Sequence, residues 1–433
     1  MRPLSLREVL RALPAPSQPL VGRILAAARR RGDAVYLVGG PVRDLCLGRR
    51  VLDVDLIVQT ADGQGAAGLA RAAAPPGARV VNHDRFGTVR LESGEAAVDL
   101  AAVRRETYAH PGALPSVEPG ALEEDLRRRD FSVNALAIPL SPAARKGQPP
   151  VIDLEGGRAD LEARLLRVLH PRSFHDDPTR ALRAARLATR LDFHLSRGSR
   201  AALRDALRDG AFGRVSGERL RREFEKLFED AAAGSDPARS LQRLAEWHVL
   251  GALEPGLGLP RQALAPLRRL GRALADPPWP KGRCQPWCAG LAVWLAPLDA
   301  GLRRRSLRRL AVRGERARRI AEFPRARDRW LRQLAGLRGR GAVDAALLGV
   351  EDERLIALAA WAPPALRRRI ERYAREDRGR LPPVGGSDLV ALGLGGPDVG
   401  RALRRIRRAW LDGALRSREE ALVLARELAG RRA

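Results

Sequence analysis

The chain has 433 residues, 45% of them hydrophobic, enough to build several domains with cores of their own. Aromatic residues make up only 4%, so those cores must be mostly Leu, Ala and Val, a mixture in which Leu and Ala favour helices. The formal net charge of +28 and pI near 11.5 point to a polyanionic partner, and three sparse cysteines exclude a disulfide framework.

Residues 1–33 read as an amphipathic helical lead-in. From 34 to 150 short apolar runs alternate with turn signals, and strands are predicted at 34–38, 51–58, 78–81, 88–91, 97–100 and 135–139. The first two runs enclose the densest constellation in the chain. Gly39-Gly40 follows a buried strand and lets backbone N–H groups approach a phosphate without a Cβ in the way. Pro41-Val42-Arg43-Asp44 then opens a helix, whose N-terminus favours an anion. Asp53 and Asp55 lie two apart in a predicted strand, with apolar Leu52, Val54 and Leu56 between and beside them. They are therefore expected on one polar face. Two hard carboxylates on one face suit Mg²⁺, which completes its shell with phosphate and water.

A polar, Pro-rich break at 141–150 ends this mixed region. Just before it, Arg127-Arg128-Arg129-Asp130 is followed by Asn134, which shares a face with Asp130 if the segment is helical. Arginine suits bidentate phosphate contacts, although three arginines standing alone also describe a solvated basic edge. Beyond Asp153 the pattern is helical almost throughout, broken by Pro and Gly near 251–260, 276–282 and 381–386. In the first of these helices Asp177 caps and Pro178 takes the first position. Arg180, Arg183 and Arg186 recur every third residue, with Arg190 on the same stripe. At about 100° per residue the three span roughly 120° of one face. Alone, that stripe also fits an ordinary exposed face. A carboxylate beside a guanidinium, as in Asp177 and Arg180, can hydrogen-bond the Watson–Crick edge of a base.

Together these stretches, LVGGPVRD with LG and DVD, then RRDFSVNALA, then DDPTRALRAARLATRLDF, resemble the class II tRNA nucleotidyltransferase and bacterial poly(A) polymerase family. The resemblance is specific across 36 to about 195. It implies an α+β fold with a polymerase-β-like catalytic head followed by an all-helical neck, body and tail. On that pattern 1–33 is the lead-in, 34–150 the head, 151–232 the neck, 233–380 the body and 381–433 a tRNA-binding tail. The resemblance further implies that Asp53 and Asp55 hold two Mg²⁺ ions and that Asp99 is a third active-site carboxylate. Gly39, Gly40 and Arg43 would meet the triphosphate. Arg129 would contact the incoming nucleotide, with Asp130 and Asn134 near its sugar. Asp177, Arg180, Arg183 and Arg186 would read and hold ATP or CTP. Asp176 stands where the family often has Glu, leaving the Asp177/Arg180 pair intact. The segment from Arg104 through Tyr108 to Leu122 resembles the family's flexible loop, which helps switch from C to A addition, and Ser216 to Glu223 resembles its neck motif. The Gly-rich turn before a basic helix, Asp388 to Gly400, is similar to the tail of many members. The metal phosphohydrolase domain of some members is expected to be absent, since His83-Asp84 and His175-Asp176 fall within the other motifs.

The implied activity is template-independent transfer of CMP and AMP, as CCA, to the tRNA 3′ end. Poly(A) synthesis, CC-only addition and A-only addition by the same head remain alternatives. An RNA-binding protein without catalysis is a rival of another class, and the intact Asp53/Asp55 pair speaks against it. Cys284 and Cys288 lack a second Cys/His pair, so no zinc site is expected, and Cys46 is expected to pack as a small apolar residue. No apolar stretch approaches a membrane span, and a cytoplasmic protein is expected.

Overall fold

The structure, a computed structural model, describes residues 5–61, 65–83, 87–107, 112, 116–145, 150–276 and 284–430. The lead-in residues 1–4, the breaks at 146–149 and 277–283, Asp84 of the His83-Asp84 pair and Tyr108 of the expected loop lie outside them. The chain divides into two compact units, Met1–Val215 and Ser216–Ala433. The division falls inside the stretch 151–232 expected as one neck.

In the first unit the lead-in is two helices, α1 (Leu6–Ala12) and α2 (Gln18–Arg31), separated by a 3₁₀ turn at Ala15–Ser17. Helix α2 buries Leu20, Val21, Ile24, Ala27 and Ala28, one face at helical spacing, and stops at Gly32, whose φ of +76° suits a residue without a Cβ. The sheet strands are β1 (Ala34–Val38), β2 (Asp55–Gln59), β3 (Arg79–His83), β4 (Thr88–Ser93) and β5 (Ala96–Ala102). After them come a separate hairpin, β6 (Arg104–Thr107) with β7 (Ser116–Pro119), then β8 (Leu136–Pro139) and β9 (Ile152–Asp153). Seven of these strands form one sheet in the order β3-β4-β5-β2-β1-β8-β9, with β2 and β5 parallel and the other neighbours antiparallel.

Both faces of the central strands are covered, which is why β1 and β2 read as continuous apolar runs rather than alternating ones. On one face Tyr36, Val38, Ile57 and Ala137 pack with Leu122 and Leu126 of α5 (Leu122–Arg127, after α3 at Gly40–Cys46 and α4 at Gly65–Ala73). The alternate residues Leu37, Leu56 and Leu100 stand in register on neighbouring strands and are fully buried. Burying each such Leu contributes about 2 kcal/mol, so the sheet centre is a rigid base for what its strand ends carry.

The predicted strand 51–58 begins only at Asp55. Residues 51–54 are a connection off the ladder, and Leu52 is 64% exposed rather than part of an apolar face. The β6–β7 hairpin lies in the expected flexible loop, and its residues 108–111 and 113–115 are outside the described set. Past Asp153 the described chain is helical apart from the two-residue strands β10 (Leu165–Leu166) and β11 (His194–Leu195), which pair in parallel.

The second unit is helical. Its centre is Phe224 against Trp294, ring centroids 5.2 Å apart, with Phe228 over Gly290. A Cβ on Gly290 would stand 2.3 Å from the Phe228 ring, so this close helix approach requires glycine. The last helices enclose a small core of their own around Leu389, Ile406 and Ala425. Among the described residues no helix is long and apolar enough to cross a membrane.

Candidate active site

Strand β1 delivers the chain to Gly39, whose φ of +72° and ψ of −129° suit only glycine. A Cβ there would lie 3.0 Å from Nη1 of Arg129. Gly39 donates its N–H to the Leu136 carbonyl at 3.2 Å, so that group belongs to the sheet and is not offered to a phosphate as expected. Gly40 begins α3 and remains the close-approach position. Arg43, one turn on, is buried and points inward. Its Nε and Nη2 donate to the two oxygens of Asp44 (2.9 and 3.0 Å), and Nη1 donates to Oδ1 of Asn134 at 2.7 Å. Burial pushes the guanidinium pKa down, with Asp44 opposing.

The carboxylates stand at the neighbouring strand ends. Asp55 is the first residue of β2 and pairs in register with Asp99 of β5, while the N–H of Asp99 reaches the Val54 carbonyl at 2.9 Å. Parallel in-register residues share a face of the sheet, so the carboxylate matched to Asp55 by strand geometry is Asp99. Asp53 precedes the strand and is exposed. Burial, then Asp99 and Asp53, push the Asp55 carboxyl up to about 6, against the pull of Arg129 and Arg43. Among the described residues no side chain donates a hydrogen bond to Asp53 or Asp55. Asp99 accepts from Nη1 of Arg90 at 3.0 Å. Hard, unpartnered oxygens under mutual repulsion fit a divalent cation. Among the described residues no three potential ligands cluster, so water and phosphate oxygens would have to fill the shell.

The arginine run divides by direction. Arg127 is exposed and meets Glu155 at 3.3 Å, whereas Arg128 and Arg129 turn inward onto Asp125, a fully buried carboxylate of α5. Asp125 was not among the expected residues. Its spacing, three and four residues before two arginines on a helix, is the signal that would have found it. Held at 3.0 Å by Asp125, Arg129 passes under Gly39.

Asp130 and Asn134 do come together, through a 3₁₀ turn at Ser132–Asn134 rather than an α-helix, with Nδ2 of Asn134 donating to Oδ1 of Asp130 at 3.0 Å. Burial opposes ionisation of Asp130, but Arg183, Asn134 and Arg180 outweigh it and hold the carboxyl down at about 2. Arg183 donates to Oδ2 of Asp130 from Nε (3.0 Å) and Nη2 (2.6 Å), joining the second and third sequence motifs. The turn is gripped from below by α7 (Gly157–Glu162, after α6 at Pro142–Arg145). A Cβ on Gly157 would lie 2.2 Å from the Ser132 carbonyl oxygen, and the Ser132 hydroxyl donates to Asp160.

After α8 (Ser173–Asp176), Asp177 accepts the N–H and the hydroxyl of Thr179 at 3.0 and 2.6 Å, but the N-cap of α9 (Thr179–Leu191) is Pro178, one residue later than expected, so Asp177 braces the helix start from just outside it. Arg180 is not on an exposed stripe. It is buried, with Nη1 donating to Oγ of Ser173 at 2.5 Å and Nη2 to the Arg128 carbonyl at 3.0 Å. Arg183 and Arg186 are half-buried and Arg190 is exposed. No sequence spacing marks Ser173 as a partner of Arg180.

Residues 35–167 match the family model described as the poly A polymerase head domain. A CC-adding tRNA nucleotidyltransferase of Deinococcus radiodurans is 35% identical over 93% of this chain and 92% of its own length. The chain belongs to the tRNA nucleotidyltransferase family. An A-adding tRNA nucleotidyltransferase of Geobacter sulfurreducens is 30% identical over 99% of this chain, which spans about half (49%) of that relative. The Thermotoga maritima CCA-adding enzyme complexed with tRNA-CCA has the same fold, with a TM-score of 0.70 and 28% identity over 100% of both chains. The α+β architecture is thus that of the family, and Gly39–Asp55, Arg129–Asn134 and Asp177–Arg186 occupy its head and the start of its helical part.

Proposed function

We propose that the protein transfers CMP and AMP from CTP and ATP to the 3′ end of tRNA without a nucleic-acid template, completing CCA. The observation that carries this reading is Asp55, half-buried at a strand end near Asp53 and Asp99, with no side-chain hydrogen bond among the described residues, and set beside inward-turned arginines. Asp53 and Asp55 would hold Mg²⁺, with Asp99 as a third carboxylate in reach of their field. Bound there, the metal supplies Lewis-acid activation of the terminal 3′-hydroxyl and neutralises triphosphate charge. Gly40 and Arg43 would border the triphosphate, and Arg129 its inner side. Asp130 and Asn134 would line the sugar, already oriented by Arg183 and Arg43. Base choice would rest on Asp177, Arg180, Arg183 and Arg186. Arg180 keeps N–H donors beyond the two engaged by Ser173 and Arg128, and its burial fixes where they point. The division into head, neck, body and tail, and a cytoplasmic site of action, are parts of the same proposal.

A narrower reading has one specific observation in its favour. Two relatives that match more than nine-tenths of this chain are named A-adding and CC-adding enzymes, so one half-reaction is the alternative product. The test of transfer itself is Mg²⁺-dependent pyrophosphate release with tRNA, CTP and ATP. Release that needs all of tRNA, nucleotide and metal supports the proposal. Binding of tRNA with no release under any combination would leave an RNA-binding protein in its place.

A further inference from the structure

Within the second unit a cavity of about 320 Å³ opens between the helices Arg261–Ala275, Asp352–Trp361 and Pro364–Arg372. Four guanidiniums line it, from Arg269, Arg272, Arg367 and Arg375, against two carboxylates, Asp276 and Glu371. Arg375 is spent on Asp276 at 3.5 Å. Arg269 is anchored by donating Nη1 to the Ala360 carbonyl at 3.2 Å, near the end of its helix. The guanidiniums of Arg272 and Arg367 have no hydrogen-bond or ion-pair partner among the described residues. Burial, then the positive charges of Arg367 and Arg272, push the Arg269 pKa down.

Other arginines of this unit are held by carboxylates, Arg407 by Asp344 at 2.7 Å and Arg340 by Asp377 and Glu376. In the cavity four arginines face two carboxylates, which leaves a surplus of positive charge in a concave place. Its fit is to a tetrahedral oxyanion, which accepts several N–H donors at once. The volume exceeds that of one phosphate and admits a phosphodiester with its flanking riboses.

We propose that this cavity is a phosphate-binding site for the RNA backbone, with Arg272 and Arg367 as the contacting groups and Arg269 as the fixed wall behind them. The assignment rests on tRNA being the substrate. It names a docking point on the helical unit, apart from the nucleotide-binding residues of the first.

The test is the full-length Arg272→Ala/Arg367→Ala variant beside wild type and the Arg272→Lys/Arg367→Lys variant, each first checked for an unchanged melting temperature. With a full-length tRNA transcript the alanine variant should show a roughly tenfold higher KM, with unchanged KM for CTP and ATP. The slope of log affinity against log salt should fall by about 1 to 2. The lysine variant should recover most of the affinity. An unchanged tRNA KM and salt slope in a folded alanine variant would overturn the proposal while leaving the wild-type transfer activity intact as evidence for the enzyme. Wild type that transfers nothing would instead remove the functional reading on which it rests. Inorganic phosphate or pyrophosphate provides the second arm. If either raises the melting temperature of wild type but not of the alanine variant while tRNA KM is unchanged, the site takes free anions and the RNA assignment fails.

Discussion

Asp55 and Asp99 stand opposite each other across the one parallel pairing of the seven-stranded sheet, and among the described residues Asp99 but not Asp55 has an arginine partner. Asp55 is thus the carboxylate left to a cation. Replacing Asp55 or Asp53 by Asn should lower nucleotide transfer by about three orders of magnitude or more, because charge developing on the phosphates loses its counter-charge. tRNA affinity, measured by filter binding, should stay within about twofold. A parallel loss of tRNA binding would mean that the pair is structural.

The raised Asp55 carboxyl has a consequence for stability. Its pKa is about 6 in the fold against an ordinary 3.8, so the folded state binds the extra proton between those values. Stability should therefore fall as pH rises from about 4 to about 6, by about 3 kcal/mol at most for a shift near two units. Asp55→Asn should remove that part of the pH dependence. Mg²⁺ should raise the melting temperature more at pH 7.5 than at pH 5, where Asp55 is largely protonated. Thermal melts with and without EDTA check both statements.

Asp125 carries no expected role in chemistry, but it turns Arg128 and Arg129 inward. Asp125→Ala leaves two cations without their buried partner and should cost about 3 to 5 kcal/mol, read from urea unfolding. In Asp125→Asn, which keeps the volume, the nucleotide KM should rise about tenfold with a smaller change in stability. A nucleotide KM unchanged in a folded Asp125→Asn protein would remove Arg129 from the nucleotide site.

Gly157 lies under the turn that presents Asp130 and Asn134, with room for no Cβ beside the Ser132 carbonyl. Gly157→Ala should cost about 1 to 3 kcal/mol and weaken ATP and CTP together, since the turn must lift as a unit. Equal nucleotide affinity in the variant, by isothermal titration, would show that the turn does not need this support.

Most of the sheet was legible because β1 and β2 are buried on both faces, while in β4 and β5 the buried Val89, Leu91, Val98 and Leu100 alternate with more exposed residues. β1 ends at Gly39, a position that only glycine can occupy. The start of β2 was misplaced for a physical reason. Val51 and Val54 are buried in a connection, and buried valines outside a ladder look the same in sequence as those inside it. The motif residues were legible as types, but their directions were not. Arg180 lies at stripe spacing with Arg183 yet turns to Ser173, seven residues earlier, and the Gly39 N–H belongs to Leu136, ninety-odd residues away. Such partners are set by tertiary packing, which leaves no spacing to read.

The most direct measurement offers the purified protein three tRNA transcripts, ending before CCA, after C and after CC, with CTP and ATP singly and together, and resolves products to one nucleotide. Completion of CCA on all three, dependent on Mg²⁺ and lost in Asp55→Asn, is the expected result. Addition that stops at CC, or of A alone to the CC end, would assign the half-reaction named in its relatives. A long run of A on unstructured RNA, or no metal-dependent addition at all, would contradict the account.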